Sequence, residues 1–397
     1  MRLFDWFKSH FEAKRAYDLR RVGVQGRPQY PLTDTRSLIA WHRRNELVYS
    51  CLQKIAQAVI DPDLIVERRS AQGQWAREDG HPFRRLLVRP NPMQDGASFL
   101  ASWLVSEHVA GSFYAEIVRS RAGLPVELWP LDPSKVLPIA GSGRGGEQIA
   151  AYEFRDGHYR VELPARDVLV SRLPDIGSLY HGLAPLAVAL GAVDADAAQT
   201  DYIRAFFDNA GVPSGIIKIK GRALSQEQAE GIQERWLRRH SRRGKLPAGP
   251  AVLDENAEYQ KIGANLDELE SNTMRAVLEA RICTVFGVPP LLVGAYVGLQ
   301  FVNQRATAEA ALKDFWTNKM SPTLKRIRSF LTWRLLAEFE GEEAIYAERV
   351  RLNWDMSRVA ALAEDESARH QRIREDFLAG LMTKAEARAQ LGLSPGE

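Results

Sequence analysis

Two apolar stretches at helical spacing, each stopped by a Gly-Val-Pro sequence, constrain the fold of this 397-residue chain most. The first covers 184–210 and ends at Gly211–Pro213, and the second covers 265–286 and ends at Gly287–Pro290. Such spacing predicts helices with one buried face, and glycine followed by proline ends a helix. Between them, 214–262 predicts a strand, a helix and two further short strands. We therefore expect two long helices that carry a small α/β insert.

The residues before these helices predict small antiparallel sheets with a few helices. Residues 1–40 are polar and predict an arm that either docks on a neighbour as an amphipathic helix or frays. Helical spacing predicts helices over 45–60 and 98–110, and a strand is expected over 112–118. Short β-type runs then follow between 125 and 172, separated by turn signals. The fold class we expect is α+β, with more than one domain.

The C-terminal part of the chain is expected to be mostly helical. A long helical run is predicted over 303–339, and Pro322 should kink it, because proline removes a backbone hydrogen bond and clashes with the preceding turn. From about 355 the chain is charged and predicts further helices. The last of these begins with Thr383 and Glu386, the pattern of a capping box.

Composition and cysteine usage limit the class of protein. The formal net charge is only +3, so contact with nucleic acid must come from local basic patches. Cys51 and Cys283 lie 232 residues apart and outside any Cys/His cluster, which argues against a disulfide framework and a zinc site. No apolar run predicts a membrane helix, and charged residues interrupt the N-terminal segment where a signal peptide would be apolar. We expect synthesis in a reducing cytoplasm and no cofactor.

Catalytic signatures are scarce. The chain contains no His-Glu-x-x-His, Gly-x-Ser-x-Gly or phosphate-loop sequence. GSGRGG at 141–146 matches Gly-x-Gly-x-x-Gly formally, but a strand-like run follows where a dinucleotide site needs a helix, so we expect a hairpin loop. Two clusters of carboxylate residues could bind Mg²⁺ in a nuclease. No Lys or His pattern supports this role, and the solvated face of a helix also accounts for each cluster. They are Asp194 with Asp196, and Asp267 with Glu268 and Glu270.

Charge is distributed unevenly over the two long helices and their insert. Each helix carries four acidic residues against one or two arginines, whereas the insert over 212–262 has ten basic residues against six acidic ones. Three interpretations of its basic tip remain open: contact with nucleic-acid phosphates, docking of an acidic partner protein, or a solvated surface. The tip consists of Arg235, Arg238, Arg239, Arg242, Arg243 and Lys245.

Several segments carry a family resemblance through their order along the chain. They are RPNPMQDGASFL with the Gly-x-x-Tyr strand after it, GLPVELWPLDPSKV, GLAPL, AFFDNAGVPSGII, LSQEQAEGIQERW, VLDENAEYQKIG, EARICTVFGVPPLLVG and GLMTKAEARAQLGL. Together they resemble the HK97-like portal proteins of tailed phages and gene transfer agents, over about 45–393. EARICTVFGVPPLLVG is the most diagnostic of them.

This resemblance implies a portal subunit built in layers. Twelve subunits would form a ring at one capsid vertex of a virion, around a channel through which double-stranded DNA is packaged and ejected. The implied partners are the large terminase subunit, the major capsid protein and a head–tail adaptor, with no enzymatic activity and no membrane. The layers would be a wing (1–183), a first stem helix (184–211), a clip (212–262), a second stem helix (263–287), a tunnel loop (288–303), a long kinked helix returning to the wing (304–354) and a helical crown (355–397).

The resemblance also implies roles for candidate residues. The basic tip of the clip would dock the packaging motor and head-completion proteins. Acidic stem residues would repel DNA phosphates, so that DNA slides along the channel wall; these are Asp194, Asp201, Asp267, Glu268 and Glu270. Tunnel-loop residues would line the narrowest aperture or pack against a neighbouring subunit; these are Leu291, Tyr296, Leu299, Gln300 and Phe301.

Two other functions remain open from the sequence. The acidic clusters would serve a metal-dependent nuclease, which would lose its Mg²⁺-dependent activity when they are mutated. A host-derived adaptor would oligomerise without meeting DNA. The apolar faces of the long helices favour an obligate oligomer, whether the chain is a portal subunit or an adaptor.

Overall fold

The computed structural model describes residues 34–141, 149–178, 180–208, 215–219, 225–240, 257–261, 271–299, 305–362 and 366–390. Its helices are α1 (Thr35–His42), α2 (Glu46–Ala58), α3 (Pro82–Val88), α4 (Gly96–Ala110), α5 (Pro185–Asp208), α6 (Gln226–His240), α7 (Ser271–Phe286), α8 (Tyr296–Leu299), α9 (Arg305–Asp314), α10 (Ser321–Leu331), α11 (Ala337–Glu340), α12 (Glu342–Tyr346), α13 (Glu366–Leu378) and α14 (Lys384–Gln390). Its strands are β1 (Asp63–Arg69), β2 (Trp75–Arg77), β3 (Ser112–Arg119), β4 (Pro125–Leu131), β5 (Val136–Ala140), β6 (Ile149–Asp156), β7 (Tyr159–Pro164), β8 (Val168–Arg172), β9 (Gly215–Ile219), β10 (Ala257–Lys261) and β11 (Val350–Asp355).

The described strands form small antiparallel sheets. β1 lies between β11 and β2, β3 lies between β4 and β8, and β6 lies between β5 and β7, while β9 pairs with β10. Sheets of this size alternate with long helices, which confirms the predicted α+β class. β5 and β6 pair antiparallel on either side of the glycine-rich segment, whose residues 142–148 lie outside the described ranges. A strand therefore stands where a dinucleotide site needs a helix.

Helix α4 lies at the centre of the main hydrophobic core. Its side chains are apolar on most sides, and Phe99, Trp103 and Leu104 are fully buried. The Trp103 indole stacks on Phe113, with 5.1 Å between ring centroids, and meets Phe330 edge-on. α4 thereby joins strand β3 to the long C-terminal helix, so both ends of the described chain share one core.

The helical run predicted over 303–339 is continuous from Arg305 to Glu340, which we call the long helix. The interruption expected at Pro322 is a change of helix type. Pro322 follows a π-helical stretch, Phe315–Met320, whose backbone hydrogen bonds reach one residue further back than those of an α-helix. The wider turn accommodates the proline, whose missing N–H would otherwise break the bonding pattern, and the helix continues beyond it.

The chain returns from the long helix to its own first sheet. β11 pairs with β1 from Asp63 opposite Asp355 to Arg68 opposite Val350. The indole N–H of Trp354 in β11 donates to the Leu324 carbonyl at 2.8 Å, so the same strand is fastened to the long helix. Residues from both ends of the described chain thus form one sheet.

Candidate functional site in the stem helices, the tunnel-loop turn and the clip

The two long helices predicted from the sequence pack against each other as α5 and α7, which we call the stem helices. α5 buries Val193, and α7 buries Ile282 and Phe286, so each helix turns one apolar face to the main core. α7 is described from Ser271 onward. Its predicted start at Asn265 lies outside the described ranges.

The acidic residues of α5 lie in different environments. Asp194 and Asp201 are exposed. Asp196 is buried, and its carboxylate accepts a hydrogen bond of 2.9 Å from the side-chain amide of Asn45. Residues two positions apart on a helix do not face each other, so Asp194 and Asp196 do not converge on one metal ion. Their interpretation as a solvated pair is wrong for Asp196.

A polar junction connects the start of α2 to both stem helices. The side-chain oxygen of Asn45 accepts from the Val48 amide at 2.9 Å and caps α2, while its nitrogen donates to Asp196. On the other stem helix, the Arg275 guanidinium donates to Glu46 at 3.2 Å. The first turn of α2 is therefore tied to α5 through Asn45 and to α7 through Glu46.

The region predicted as a tunnel loop, 288–303, contains regular turns where it is described. Pro290–Val293 form a 3-10 turn, Gly294 takes the left-handed φ of +68°, and Tyr296–Leu299 form one helical turn. Gly298 packs so closely that a Cβ there would lie 2.5 Å from the Leu291 nitrogen. We call residues 290–299 the tunnel-loop turn.

Glu279 of stem helix α7 anchors the tunnel-loop turn. Its carboxylate is buried and accepts a hydrogen bond of 3.3 Å from the Val297 amide, while Arg275 donates to it at 3.2 Å. The first amides of a helical turn have no partner within the turn, and a carboxylate satisfies them. The stem and the turn are therefore fastened by a charged side chain that the sequence did not single out.

The segment predicted as the clip, 212–262, contains a two-stranded sheet and one helix in its described part. β9 pairs antiparallel with β10 over five positions, and α6 lies between them in sequence. The Gln228 amide donates to the Ser225 hydroxyl at 3.4 Å, and the Ser225 amide donates to the Gln228 side chain at 3.3 Å. These two hydrogen bonds form a capping box at the start of α6. The other of the two short strands predicted after this helix lies outside the described ranges.

The predicted site residues fall into three groups. Asp194, Asp201 and Tyr296 are exposed, and Leu291 is half-buried. Helix α6 contains Arg235, Arg238 and Arg239, and the tunnel-loop turn contains Leu299. The remaining predicted residues lie outside the described ranges; these are Arg242, Arg243, Lys245, Asp267, Glu268, Glu270, Gln300 and Phe301.

An ion pair with one fully buried partner lies between α4, β8 and the long helix. The fully buried carboxylate of Glu107 accepts two hydrogen bonds from the Arg326 guanidinium, at 2.9 and 2.5 Å. The Ser171 hydroxyl donates to the same carboxylate at 2.5 Å. Ser171 lies 64 positions from Glu107 in the sequence, and Arg326 lies 219 positions from it. No local pattern in the sequence therefore indicates the cluster.

The next residue of α4, His108, extends this cluster. Its Nε2 lies 3.0 Å from the Lys319 ammonium, and its Nδ1 lies 2.7 Å from the Leu104 carbonyl. Burial and the charge of Lys319 lower the pKa of His108 to about 4, and burial and the charge of Arg326 lower the pKa of Lys319 to about 8. His108 is therefore neutral at pH 7 and accepts from Lys319, with its proton on Nδ1.

The two cysteines, distant in sequence, meet between α2 and α7. Both thiols are buried and free. A hydrogen bond with Cys283 raises the pKa of the Cys51 thiol, and burial raises it further. No disulfide framework was expected, but the contact itself could not be foreseen from the spacing.

A cavity of about 250 Å³ lies beside Arg36, and a smaller one of about 120 Å³ lies between Asp196 and Glu279.

Within the described ranges, no three His, Cys, Asp or Glu side chains come together as a metal site would require. None of the described helices combines the length and apolar character needed to cross a membrane.

Comparison with known proteins adds family information to this geometry. A family model described as phage portal protein matches residues 46–392. A protein of Rickettsia felis, named as an uncharacterized protein, is 26% identical over 365 residues, which cover 89% of this chain and 88% of that protein. The portal protein of Enterobacteria phage HK97 is 24% identical over 221 residues, which cover 54% of this chain and 49% of that protein.

Two solved structures are similar along nearly the whole chain. One is from the neck of an empty GTA particle computed with C6 symmetry; the match has 25% identity and a TM-score of 0.64 and covers 91% of this chain and 94% of that one. The other is from the neck of a native GTA particle computed with C12 symmetry; it has 24% identity and a TM-score of 0.63 and covers 92% and 94%.

Proposed function

We propose that this chain, which belongs to the phage portal protein family, forms a ring of twelve subunits at one vertex of a phage or gene transfer agent capsid. Double-stranded DNA passes through the channel of this ring during packaging and ejection. The ring is a structural part of the particle and has no catalytic activity of its own. The family match over 46–392 is the observation that carries the proposal. The likeness to a neck computed with C12 symmetry supports the subunit number.

The stem helices form the channel wall in this proposal. α5 and α7 pack against each other, and α5 exposes carboxylates such as that of Asp201. A moving duplex needs a wall that does not bind its phosphates, and like charge prevents such binding. Asp267, Glu268 and Glu270 add to this acidic wall. Tyr296, which is 41% exposed on the anchored tunnel-loop turn, faces the channel near its narrowest point.

The clip is the docking surface for exchangeable partners. Helix α6 carries three arginines of the basic tip, and three more basic residues follow it in sequence. The large terminase subunit binds there during packaging, and a head–tail adaptor replaces it afterwards. The wing contacts the major capsid protein. The subunit is synthesised in the cytoplasm of the bacterial host before it enters the particle.

Electron microscopy of the purified chain, with class averages viewed down the ring axis, tests the ring. Closed rings of twelve subunits with a central hole are the expected result. A monomer or compact dimer that also cleaves DNA in the presence of Mg²⁺ would contradict the proposal and favour a nuclease.

Charge reversal in the basic tip tests the docking role. Arg238→Glu, Arg239→Glu, Arg242→Glu and Arg243→Glu, combined in one variant, should assemble into particles that contain no DNA. The exposed wing residue Arg121→Glu serves as the control and should package normally. Normal packaging by the combined variant would overturn the docking role of the clip.

A further inference from the structure

One exposed face of stem helix α7 is apolar and ends in an unpaired positive charge. Met274 and Val277 are 53% and 55% exposed, and Arg281 lies on the same face, four residues beyond Val277. Arg281 has no ion-pair partner within the described ranges. Exposed methionine and valine side chains lose contact with water when a second surface covers them, which is favourable by about 25 cal/mol per Å² of apolar area.

The middle of one exposed face of stem helix α5, between the exposed side chains of Val188 and Tyr202, carries small side chains beside one negative charge. Gly191, Ala195 and Ala198 are exposed there, and a Cβ at Gly191 would meet no atom within 4 Å. Asp194 stands beside them, exposed and with no ion-pair partner in the described part of the chain. Small side chains leave room for larger ones from a partner helix. The α5 face therefore complements the α7 face in both shape and charge.

Contacts with neighbouring elements fix the direction of the two stem helices. Phe286, at the end of α7, stacks on His108 with 6.2 Å between ring centroids. Gly182, just before α5, abuts Gly111 at the end of the same helix α4. The end of α7 and the start of α5 are thus at one level, and the helices run antiparallel from there towards the clip.

A second contact gives the level of the charged residues. Asp196 and Glu279 line one cavity, so they lie at a similar distance from the clip. With a rise of about 1.5 Å per residue, Arg281 is within about one helical turn of the level of Asp194. Subunits of a closed ring are related by rotation without a shift along the axis. With the stem helices along the ring axis, as the proposed channel wall places them, residues at one level in a subunit meet residues at the same level in the next subunit.

We infer that α7 of each subunit packs on α5 of the next copy of this chain, with Arg281 paired to Asp194 of the neighbouring copy. Val277 then covers Ala198 of that copy, and Met274 lies on the same face about one turn nearer the clip. The inference rests on the proposed ring and names the surfaces that close it. Two different faces are joined head to tail, which is the arrangement that generates a ring when its rotation closes. Asp194 therefore belongs to this interface.

A second copy fits these faces better than DNA does. Duplex DNA presents phosphates, which the carboxylate of Asp194 repels and which Met274 and Val277 cannot bind. An identical copy supplies both the negative partner for Arg281 and the small side chains that the larger apolar residues need.

Charge exchange tests the pairing. Arg281→Glu and Asp194→Arg, each alone, should raise the dissociation constant of the ring at least tenfold in mass photometry at low salt. The variant with both changes should restore it to within about threefold, because the pair is re-formed with opposite polarity. Arg121→Glu, an exposed arginine of the wing, is the matched control and should leave the ring unchanged. Unchanged dissociation constants in both single variants would overturn the interface.

Cross-linking tests the apolar contact independently. The variant with Val277→Cys and Ala198→Cys should give a ladder of covalent oligomers on mild oxidation. The control replaces Val126, an exposed residue of the wing, instead of Val277: Val126→Cys with Ala198→Cys should give no ladder. A ring without this ladder would overturn the interface and leave the portal function standing. A wild-type chain that forms no ring and cleaves DNA with Mg²⁺ would refute the portal proposal. The cross-link decides the interface separately: a covalent dimer supports it and its absence refutes it.

Discussion

The Arg326 guanidinium donates two hydrogen bonds to the Glu107 carboxylate, which is fully buried. Arg326 belongs to the long helix and Glu107 to α4, the helix at the centre of the core. Ser171 of β8 donates to the same carboxylate, so one charged group ties three elements together. Burial of a carboxylate is unfavourable without such partners. The stability of the folded chain should therefore depend strongly on each member of the cluster.

Removal of one partner should destabilise the protein more than removal of both. Arg326→Met leaves the Glu107 charge buried without its cation, and we expect a loss of about 3–5 kcal/mol in the free energy of unfolding. Glu107→Gln combined with Arg326→Met should lose less, because no buried charge remains. Urea unfolding measures both values. Lys325→Met, at an exposed position of the same helix, should change stability by less than about 0.5 kcal/mol.

Acidification should weaken the fold through His108. Its pKa in the folded chain is about 4, below its ordinary value of 6.5, because of burial and the neighbouring Lys319. The unfolded chain therefore binds the proton more readily, and this contribution is lost as the pH falls from 6.5 towards 4. His108→Gln stays neutral and should reduce that loss by up to about 3 kcal/mol. Urea unfolding at pH 7 and pH 4.5 measures the difference.

The control for this experiment is His158→Gln, an exposed histidine. It should keep the wild-type dependence on pH. Lys319 acts in a separate range, because its pKa is lowered to about 8 and its contribution changes only between that value and 10.5. An unchanged acid sensitivity in His108→Gln would refute the role of this histidine.

The tunnel-loop turn should loosen when its anchor is removed. Glu279→Ala takes away the acceptor of the Val297 amide and one partner of Arg275. An unsatisfied buried donor costs about 1–3 kcal/mol, so hydrogen exchange at residues 295–299 should be about 10 to 100 times faster. Glu342→Gln, at an exposed site, should leave exchange there unchanged. Equal protection in Glu279→Ala would mean that packing alone holds the turn.

Local patterns in the sequence predicted the elements well. The helix predicted over 98–110 is α4, and the capping box at Thr383 and Glu386 is confirmed by hydrogen bonds of 2.8 and 3.3 Å. Helical spacing and capping depend on neighbours within one or two turns, so a single sequence contains that information.

Contacts between distant segments could not be predicted in the same way. The burial of Asp196 depends on Asn45, and the thiol of Cys51 meets that of Cys283 only after α2 packs on α7. The order of motifs gave the family, which the family model over 46–392 confirms. The roles of the basic tip and of the acidic stem residues stay predictions, because each depends on partners outside this chain.

A close backbone contact at the start of stem helix α5 should make one glycine indispensable. A Cβ at Gly182 would lie 1.9 Å from the Gly111 carbonyl oxygen, which already accepts a hydrogen bond of 2.9 Å from the Leu173 amide. Backbone on both sides cannot yield as a flexible side chain would. Gly182→Ala should therefore lose about 3 kcal/mol or more of stability. Gly80→Ala, where a Cβ meets nothing within 4 Å, should stay within about 0.5 kcal/mol. Thermal unfolding compares them, and equal melting temperatures would mean that α5 can shift away from α4 at little cost.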